Sequence, residues 1–332
     1  MSSLSDVRLS VLDLAPIPDG SDAGTALRNT IDLARHTERL GYHRYWVAEH
    51  HNMPGIASSA TVVLISHVAD ATERIRVGSG GIMLPNHAPL IVAEQFGMLE
   101  ALHPGRIDLG IGRAPGTDQR TALAVRGSRA ALSAEDFPQQ LAELMAYFEP
   151  DEGRAVNAVP AAGNKPPFWL LGSSGFSAQL AGMLGLPFAF AHHFSARNTL
   201  PAVRLYRESF RPSATLPEPY LALGAAVFCA ETDERAEWLA APSGLTFLSL
   251  SRGRPIPLPS PEAAAAYPYT EVERQIIAGR MDSNIIGAPE TVRKGLEELV
   301  SDTGADELII TTMTHGHEDR LRSYELVADL TH

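Results

Sequence analysis

Apolar residues come along this chain in short blocks. Each block is followed by a longer stretch in which they recur every three or four positions. The first block, RLSVLDL at 8–14, has the length of a buried strand. From 24 to 40, Ala26, Leu27, Ile31, Ala34 and Leu40 keep roughly helical spacing, and Gly41 closes the helix. The alternation then repeats, with strands predicted over 43–49, 74–84 and 106–112 and helices over 58–71 and 89–102. A looser stretch, 113–135, leads to a helix over 136–148. Strands over 167–174 and 186–194 are followed by helices over 175–184 and 197–211, and 220–230 reads as a seventh strand. After it, GAPETVRKGLEELVSDTG is a helix with a terminal glycine, and DELIITTMT at 306–314 is an eighth strand. A last helix carries Leu321, Tyr324, Val327 and Leu330 on one face.

One stretch breaks the rhythm. The helix that begins near Glu231 is expected to stop at APSGLTFLSLSRGRPIPLPSPEAAAAYPY, an insertion at about 241–288. It is too long for an ordinary connection, and such segments usually form lids or binding loops.

Eight β/α alternations imply an α/β protein with parallel strands and crossover helices. Eight is also the number that closes a (β/α)8 TIM barrel. The expected fold is therefore that barrel, with insertions after strands 4 and 7, and residues 1–332 read as one domain. An open doubly wound sheet is the alternative, but no Rossmann-type glycine fingerprint opens a helix after the first strand.

Composition narrows the partners. The chain has 332 residues, a formal net charge of -12 and a pI near 5.4. An acidic surface without a basic run argues against nucleic acid. The single cysteine, Cys229, excludes an internal disulfide framework and fits a reducing compartment. The first residues do not have the form of a signal peptide, and no run of about 18 apolar residues could span a bilayer. A cytoplasmic protein without membrane contact is expected.

In a β/α barrel the chemistry stands at the carboxyl ends of the strands. The second predicted strand ends in Glu49, His50 and His51, the third carries Gly80 and Gly81, and the fourth is followed by Arg113. The fifth runs into Ser173, Ser174, Gly175 and Ser177. His192 and His193 end the sixth, and His315 and His317 follow the eighth. Polar residues at strand ends also occur simply because the chain meets water there.

Metal chemistry fits poorly. Adjacent residues on a strand face opposite sides, so His50 and His51 are poor co-ligands. The only His-x-His spacing, His315 to His317, lies beyond the last strand. Phosphate fits better. LLGSSGFSAQLAG runs from strand to helix through a hydroxyl-rich turn, and a helix N-terminus binds anions. Arg113 could add a charged fork, although Ser174 as a simple cap and Arg113 as a surface residue explain the same pattern. The Gly80–Gly81 pair suits either a bulge or a flat ligand lying close to the backbone. Cys229 sits within a strand, where burial is the ordinary explanation, and neither a G-x-S-x-G elbow nor paired strand-end carboxylates appear.

These signals occur together in one known pattern. GYHRYWVAEHHNMPG, RIRVGSGGIMLPNHAPLIVAEQFGMLEALHPGRIDLGIGRAPG, PFWLLGSSGFSAQLAGMLGLPFAFAHHF and GAPETVRKGLEELVSDTGADELIITTMTH resemble the bacterial luciferase-like flavin-dependent monooxygenase family. The resemblance implies a β/α barrel that uses reduced FMN and O2, through a flavin C4a-peroxide, to oxygenate a small organic substrate. It implies NAD(P)H as the ultimate electron donor through a separate flavin reductase, and a homodimer. By the same resemblance His50 manages protons beside the flavin, Glu49 is its acidic neighbour and His51 a lesser partner. Gly80 and Gly81 correspond to a non-proline cis peptide against the flavin ring. Arg113 and the turn of Ser173, Ser174, Gly175 and Ser177 correspond to the flavin-phosphate site. The 114–135 loop and the 241–288 insertion would cover it. Gly112 stands where the luciferase has a reactive cysteine, and Ser173 where it has an acidic residue. Both departures count against long-chain aldehyde oxidation with light emission. A deazaflavin-dependent oxidoreductase of the same superfamily and a non-catalytic flavin-binding protein are the alternatives.

Overall fold

The computed structural model describes residues 4–114, 118–126, 136–151 and 153–331. Its strands are short because both faces are covered, so nearly every position must be apolar. β1 (Arg8–Asp13) is buried from Leu9 onward, and β2 (Arg44–Val47) is buried throughout. α1 (Ala23–Arg39) separates them, its N-terminus capped by Asp22, whose carboxylate accepts the Thr25 N–H. α2 (Thr61–Ala71) leads to β3 (Arg76–Ser79), which breaks at Gly80–Gly81 and resumes as β4 (Ile82–Met83). Next come α3 (Pro89–Leu102), β5 (Ile107–Gly112), α4 (Gln119–Arg126) and α5 (Phe137–Tyr147). They are followed by β6 (Phe168–Gly172), α6 (Gly175–Leu184), β7 (Phe188–Phe190) and a helical turn, α7 (His192–Ser195). α8 (Thr199–Ser209) and β8 (Leu221–Cys229) complete this part.

The strands are all parallel, and with β10 (Glu307–Thr311) their order is β10-β1-β2-β3-β5-β6-β7-β8. β10 pairs with both β1 and β8, which closes an eight-stranded barrel. β4 continues the stave begun by β3 and pairs with β5. The TIM barrel expected from the alternation is the fold observed.

The segment after β8 differs from its sequence reading. α9 (Asp233–Ser251) does not stop at residue 241 but continues through Pro242. A proline inside a helix costs about 3 kcal/mol. Here Leu239, Leu245 and Leu248 of the same helix are buried, each side chain contributing about 1.5–3 kcal/mol, which offsets that cost. α10 (Pro261–Ala266) and α11 (Glu271–Met281) follow, then β9 (Ile285–Gly287), which pairs with the far end of β8. The expected proline- and glycine-rich loop is therefore largely helical. α12 (Pro289–Thr303) and α13 (His317–Ala328) complete the outer ring.

The amino end of the barrel interior is filled. Arg44 donates to Asp108 and Glu307, each at 2.7 Å, and Arg76 donates to Asp108. Burial alone would raise the Asp108 carboxyl, but the two guanidinium groups outweigh it and hold it below its ordinary value. Above this plug Trp46 and Trp169 meet edge to face with centroids 5.1 Å apart. A second buried pair sits where the barrel closes, with Arg320 of α13 donating to Asp13 of β1 at 2.6 Å. Among the described residues no helix is long and apolar enough to cross a membrane.

Candidate functional site at the carboxyl rim of the barrel

Four donors converge on Glu49. β2 ends at Val47, so Glu49, His50 and His51 lie just beyond the strand. The Glu49 side chain is 1% exposed and accepts from His51 Nε2 at 2.9 Å and the Met83 N–H at 3.0 Å. It also accepts from Asn86 Nδ2 at 3.1 Å and His87 Nε2 at 3.0 Å. Burial pushes this carboxyl up. The hydrogen bonds and charge of His87, then His51 and the Met83 N–H, push it down further, and it ionises below its ordinary value. Glu49 thus fixes two imidazoles and the start of β4.

The His50 side chain makes no hydrogen bond to this cluster. Its main-chain N–H bonds Ser58 O, but its Nδ1 is buried without a hydrogen-bond partner. Burial lowers its pKa, against the pull of Glu49, so the ring is held neutral. His193 stands at the same rim. Its Nδ1 donates to Gly224 O at 2.9 Å, which leaves Nε2 as the acceptor. Burial pushes the His193 pKa down to about 4, with Arg280, His192 and His50 adding to the shift.

The Gly80–Gly81 peptide is cis. A Cβ on Gly80 would come within 2.5 Å of Leu12 and one on Gly81 within 2.8 Å of the Gly110 carbonyl, so neither position has room for a side chain. Gly112 is similarly confined, since its Cβ would meet Met83 Sδ at 2.9 Å.

The phosphate-type motif is assembled from β5, β6 and α6. The Arg113 guanidinium lies 4.3 Å from the centroid of the Phe176 ring, in the first turn of α6. Ser174 is the N-cap, yet its side chain makes no capping hydrogen bond. The first N–H groups of a helix have no intrahelical acceptor, so this turn has donors to offer. Gly175 is the first helical residue, Ser173 precedes the cap, and Ser177 is buried beneath it. Gly172 must be glycine because a Cβ there would approach Ser177 Cβ to 2.5 Å.

The other strand-end histidines do not join this centre. His192 turns to Thr199 Oγ1 at 2.9 Å. His315 reaches the Asp19 carbonyl at 3.3 Å, and His317 reaches Asp32 at 2.9 Å. Among the described residues no three acidic, histidine or cysteine side chains cluster as a metal site. Cys229 is buried in β8, and burial pushes its thiol up to about 12. Leu258 of the insertion is stitched to the segment after β1, its N–H bonding Ile17 O and its carbonyl accepting from the Asp19 N–H. Much of the 114–135 loop (115–117 and 127–135) lies outside the described residues.

His87 and Asn86 are functional-site neighbours that the sequence reading passes over. Both lie in IMLPNHAP, directly after the glycine pair, and nothing in local spacing shows that they fold back onto Glu49.

Comparison with known proteins decides the family. The luciferase-like monooxygenase family model matches residues 7–307. The chain belongs to that family. It is 53% identical to the uncharacterized protein YvbT of Bacillus subtilis (strain 168), covering 98% of this chain and 97% of that protein. It is 46% identical to a luciferase-like monooxygenase of Escherichia coli (strain K12), covering 98% and 97%. Among solved structures it resembles apo-MsnO8, with a TM-score of 0.91, 39% identity and 98% of each chain covered. More distant neighbours share the fold. They include the oxygenating constituent of a 3,6-diketocamphane monooxygenase in complex with FMN, at 18% identity, TM-score 0.71 and 97% of each chain. They also include an F420-dependent secondary alcohol dehydrogenase, at 14% identity, TM-score 0.71, 98% of this chain and 99% of that one.

Proposed function

We propose that this protein is an FMN-dependent monooxygenase that oxygenates a small organic substrate with O2, drawing reduced FMN from a separate NAD(P)H-dependent reductase. The observation that carries the reading is the donor set at Arg113 and the uncapped N-terminus of α6, which suits a doubly charged phosphate monoester. By the family resemblance, the Gly80–Gly81 peptide at the same rim would lie against the flavin ring. The orphaned, buried Nδ1 of His50 suits a ligand polar atom. Arg113, the α6 turn with Ser173, Ser174, Gly175 and Ser177, and the Gly80–Gly81 peptide would hold FMN. Bound reduced FMN supplies the oxygen-activating chemistry.

The chain's own residues do the rest. Neutral His50 takes or returns a proton at its Nδ1 near neutral pH, because its lowered pKa keeps a lone pair available there. Glu49 holds His51 and His87 in place and keeps the rim charge fixed. The insertion, docked through Leu258, would narrow the mouth and help exclude water. Exposed Val63 on α2 and Ile91, Met98 and Leu102 on α3 support pairing of two copies through that face.

The test is reconstitution with reduced FMN, O2, a flavin reductase and NAD(P)H over a panel of small substrates. Coupled oxygenation that drops at least tenfold in His50→Ala supports the reading. Unchanged coupled turnover in that variant removes the role of His50. Flavin that binds but never turns over would make the protein a binding module instead.

A further inference from the structure

Arg280 is a half-buried cation at this rim without a carboxylate partner among the described residues. Arg280, in the last turn of α11, donates to the carbonyl of His193 at 2.6 Å and lies 5.4 Å from the centroid of the Phe247 ring. α11 is docked firmly on α9, where a Cβ on Gly244 would come within 2.7 Å of Ile277. Among the described residues no Asp or Glu forms an ion pair with Arg280, including Asp282 two positions along. The two fully buried arginines have carboxylate partners, whereas half-buried Arg106 and Arg293 rest, like Arg280, on main-chain carbonyls. Arg44 rests on Asp108 and Glu307, and Arg320 on Asp13.

Carboxylates are abundant, with 39 acidic against 27 basic residues in the chain, yet none is paired with Arg280 among the described residues. Taking a guanidinium partly out of water without a counter-charge is costly, and the lowered pKa of Arg280 has burial as its sole cause. One edge of the group is spent on the His193 carbonyl, which ties the insertion to the end of β7. The guanidinium carries five N–H donors in a planar fork, so further donors stay available for a planar anion. His193 lies just beyond the end of β7, so the hydrogen bond to its carbonyl places Arg280 at the carboxyl rim of the barrel.

We propose that Arg280 is the receiver for a substrate carboxylate, and that the protein therefore acts on small organic acids. This rests on the flavin-monooxygenase reading for the reaction, but the acid preference itself does not require flavin. The other anion that could use the fork is the FMN phosphate, for which Arg113 and α6 offer a separate donor set on the β5 and β6 side.

The experiment is calorimetric titration of the full-length protein, with and without oxidised FMN. The probes are hexanoate, 3-phenylpropanoate and N-acetylmethionine, each against its own primary amide. The native protein is expected to bind at least one acid about tenfold or more tighter than its amide. Arg280→Gln is expected to erase that difference, and Arg280→Lys to restore part of it while keeping a donor for the His193 carbonyl. The ratio of FMN to riboflavin affinity should be unchanged in both variants. No acid preference in any pair, a preference that survives Arg280→Gln, or a collapse of the FMN-to-riboflavin ratio in that variant would each overturn the proposal. If FMN fails to bind while the acid preference stands, the flavin reading fails and this one does not.

Discussion

Replacing Glu49 by Gln keeps the shape of the side chain and removes its charge. Four donors meet its two oxygens, with His51, Asn86 and His87 on Oε1 and the Met83 N–H and His87 on Oε2. An amide can place its NH2 at only one of these corners, and at either corner it confronts a buried donor. If it takes the Oε2 corner, the Met83 N–H is orphaned. If it takes the Oε1 corner, His51 and Asn86 lose their acceptor. Each buried donor left unsatisfied costs about 1–3 kcal/mol, so the variant should lose about 2–4 kcal/mol of stability. The pH dependence follows from the depressed Glu49 pKa. Its contribution is fully present above the unfolded carboxylate value near 4.5 and is lost as pH falls through the lower folded value. Urea unfolding of both proteins at pH 7 measures the difference, and imidazole NMR reports whether His51 and His87 keep their tautomers. A loss below about 0.5 kcal/mol with both tautomers unchanged would refute the view that Glu49 organises this corner.

Two further predictions follow from buried charge. Asp13→Ala strands the Arg320 guanidinium beside Thr30 and Tyr45, and should cost about 3–5 kcal/mol, whereas the Asp13→Leu, Arg320→Met double variant should cost much less. Chemical denaturation of both variants checks this, and equal losses would refute it. His193 has a folded pKa of about 4 against an unfolded value near 6.5, so the unfolded chain binds more protons between those values and stability is lost as pH falls through that window. The His193 contribution is about 2 kcal/mol between pH 7 and pH 5, and His193→Gln should remove that part of the slope.

The barrel was legible because parallel, doubly covered strands announce themselves as apolar runs such as RLSVLDL and RIDLGIG. Its interruptions were less so. Strand 74–84 looks continuous in sequence, but the cis peptide at Gly80–Gly81 divides it, and the glycine pair was the visible sign. Pro242 suggested a helix end by local preference, and packing of α9 against α11 overrode it. Strand alternation does not govern the triplet Glu49, His50 and His51, because β2 ends at Val47, although Glu49 and His51 do pair while His50 Nδ1 has no hydrogen-bond partner. The convergence of Asn86 and His87 on Glu49 is tertiary, set by how the β4 stave returns to the rim. Arg280 was equally hidden, because a helix-terminal arginine looks like an ordinary complement to the dipole until its surroundings are known.

The central claim is tested most directly by one anaerobic titration of the flavin-free protein with reduced FMN, reduced riboflavin and the reduced deazaflavin, followed by fluorescence. Saturable binding of reduced FMN, about tenfold or more tighter than riboflavin and tighter than the deazaflavin, is the predicted result. Equal affinity for FMN and riboflavin, or a preference for the deazaflavin, would contradict it.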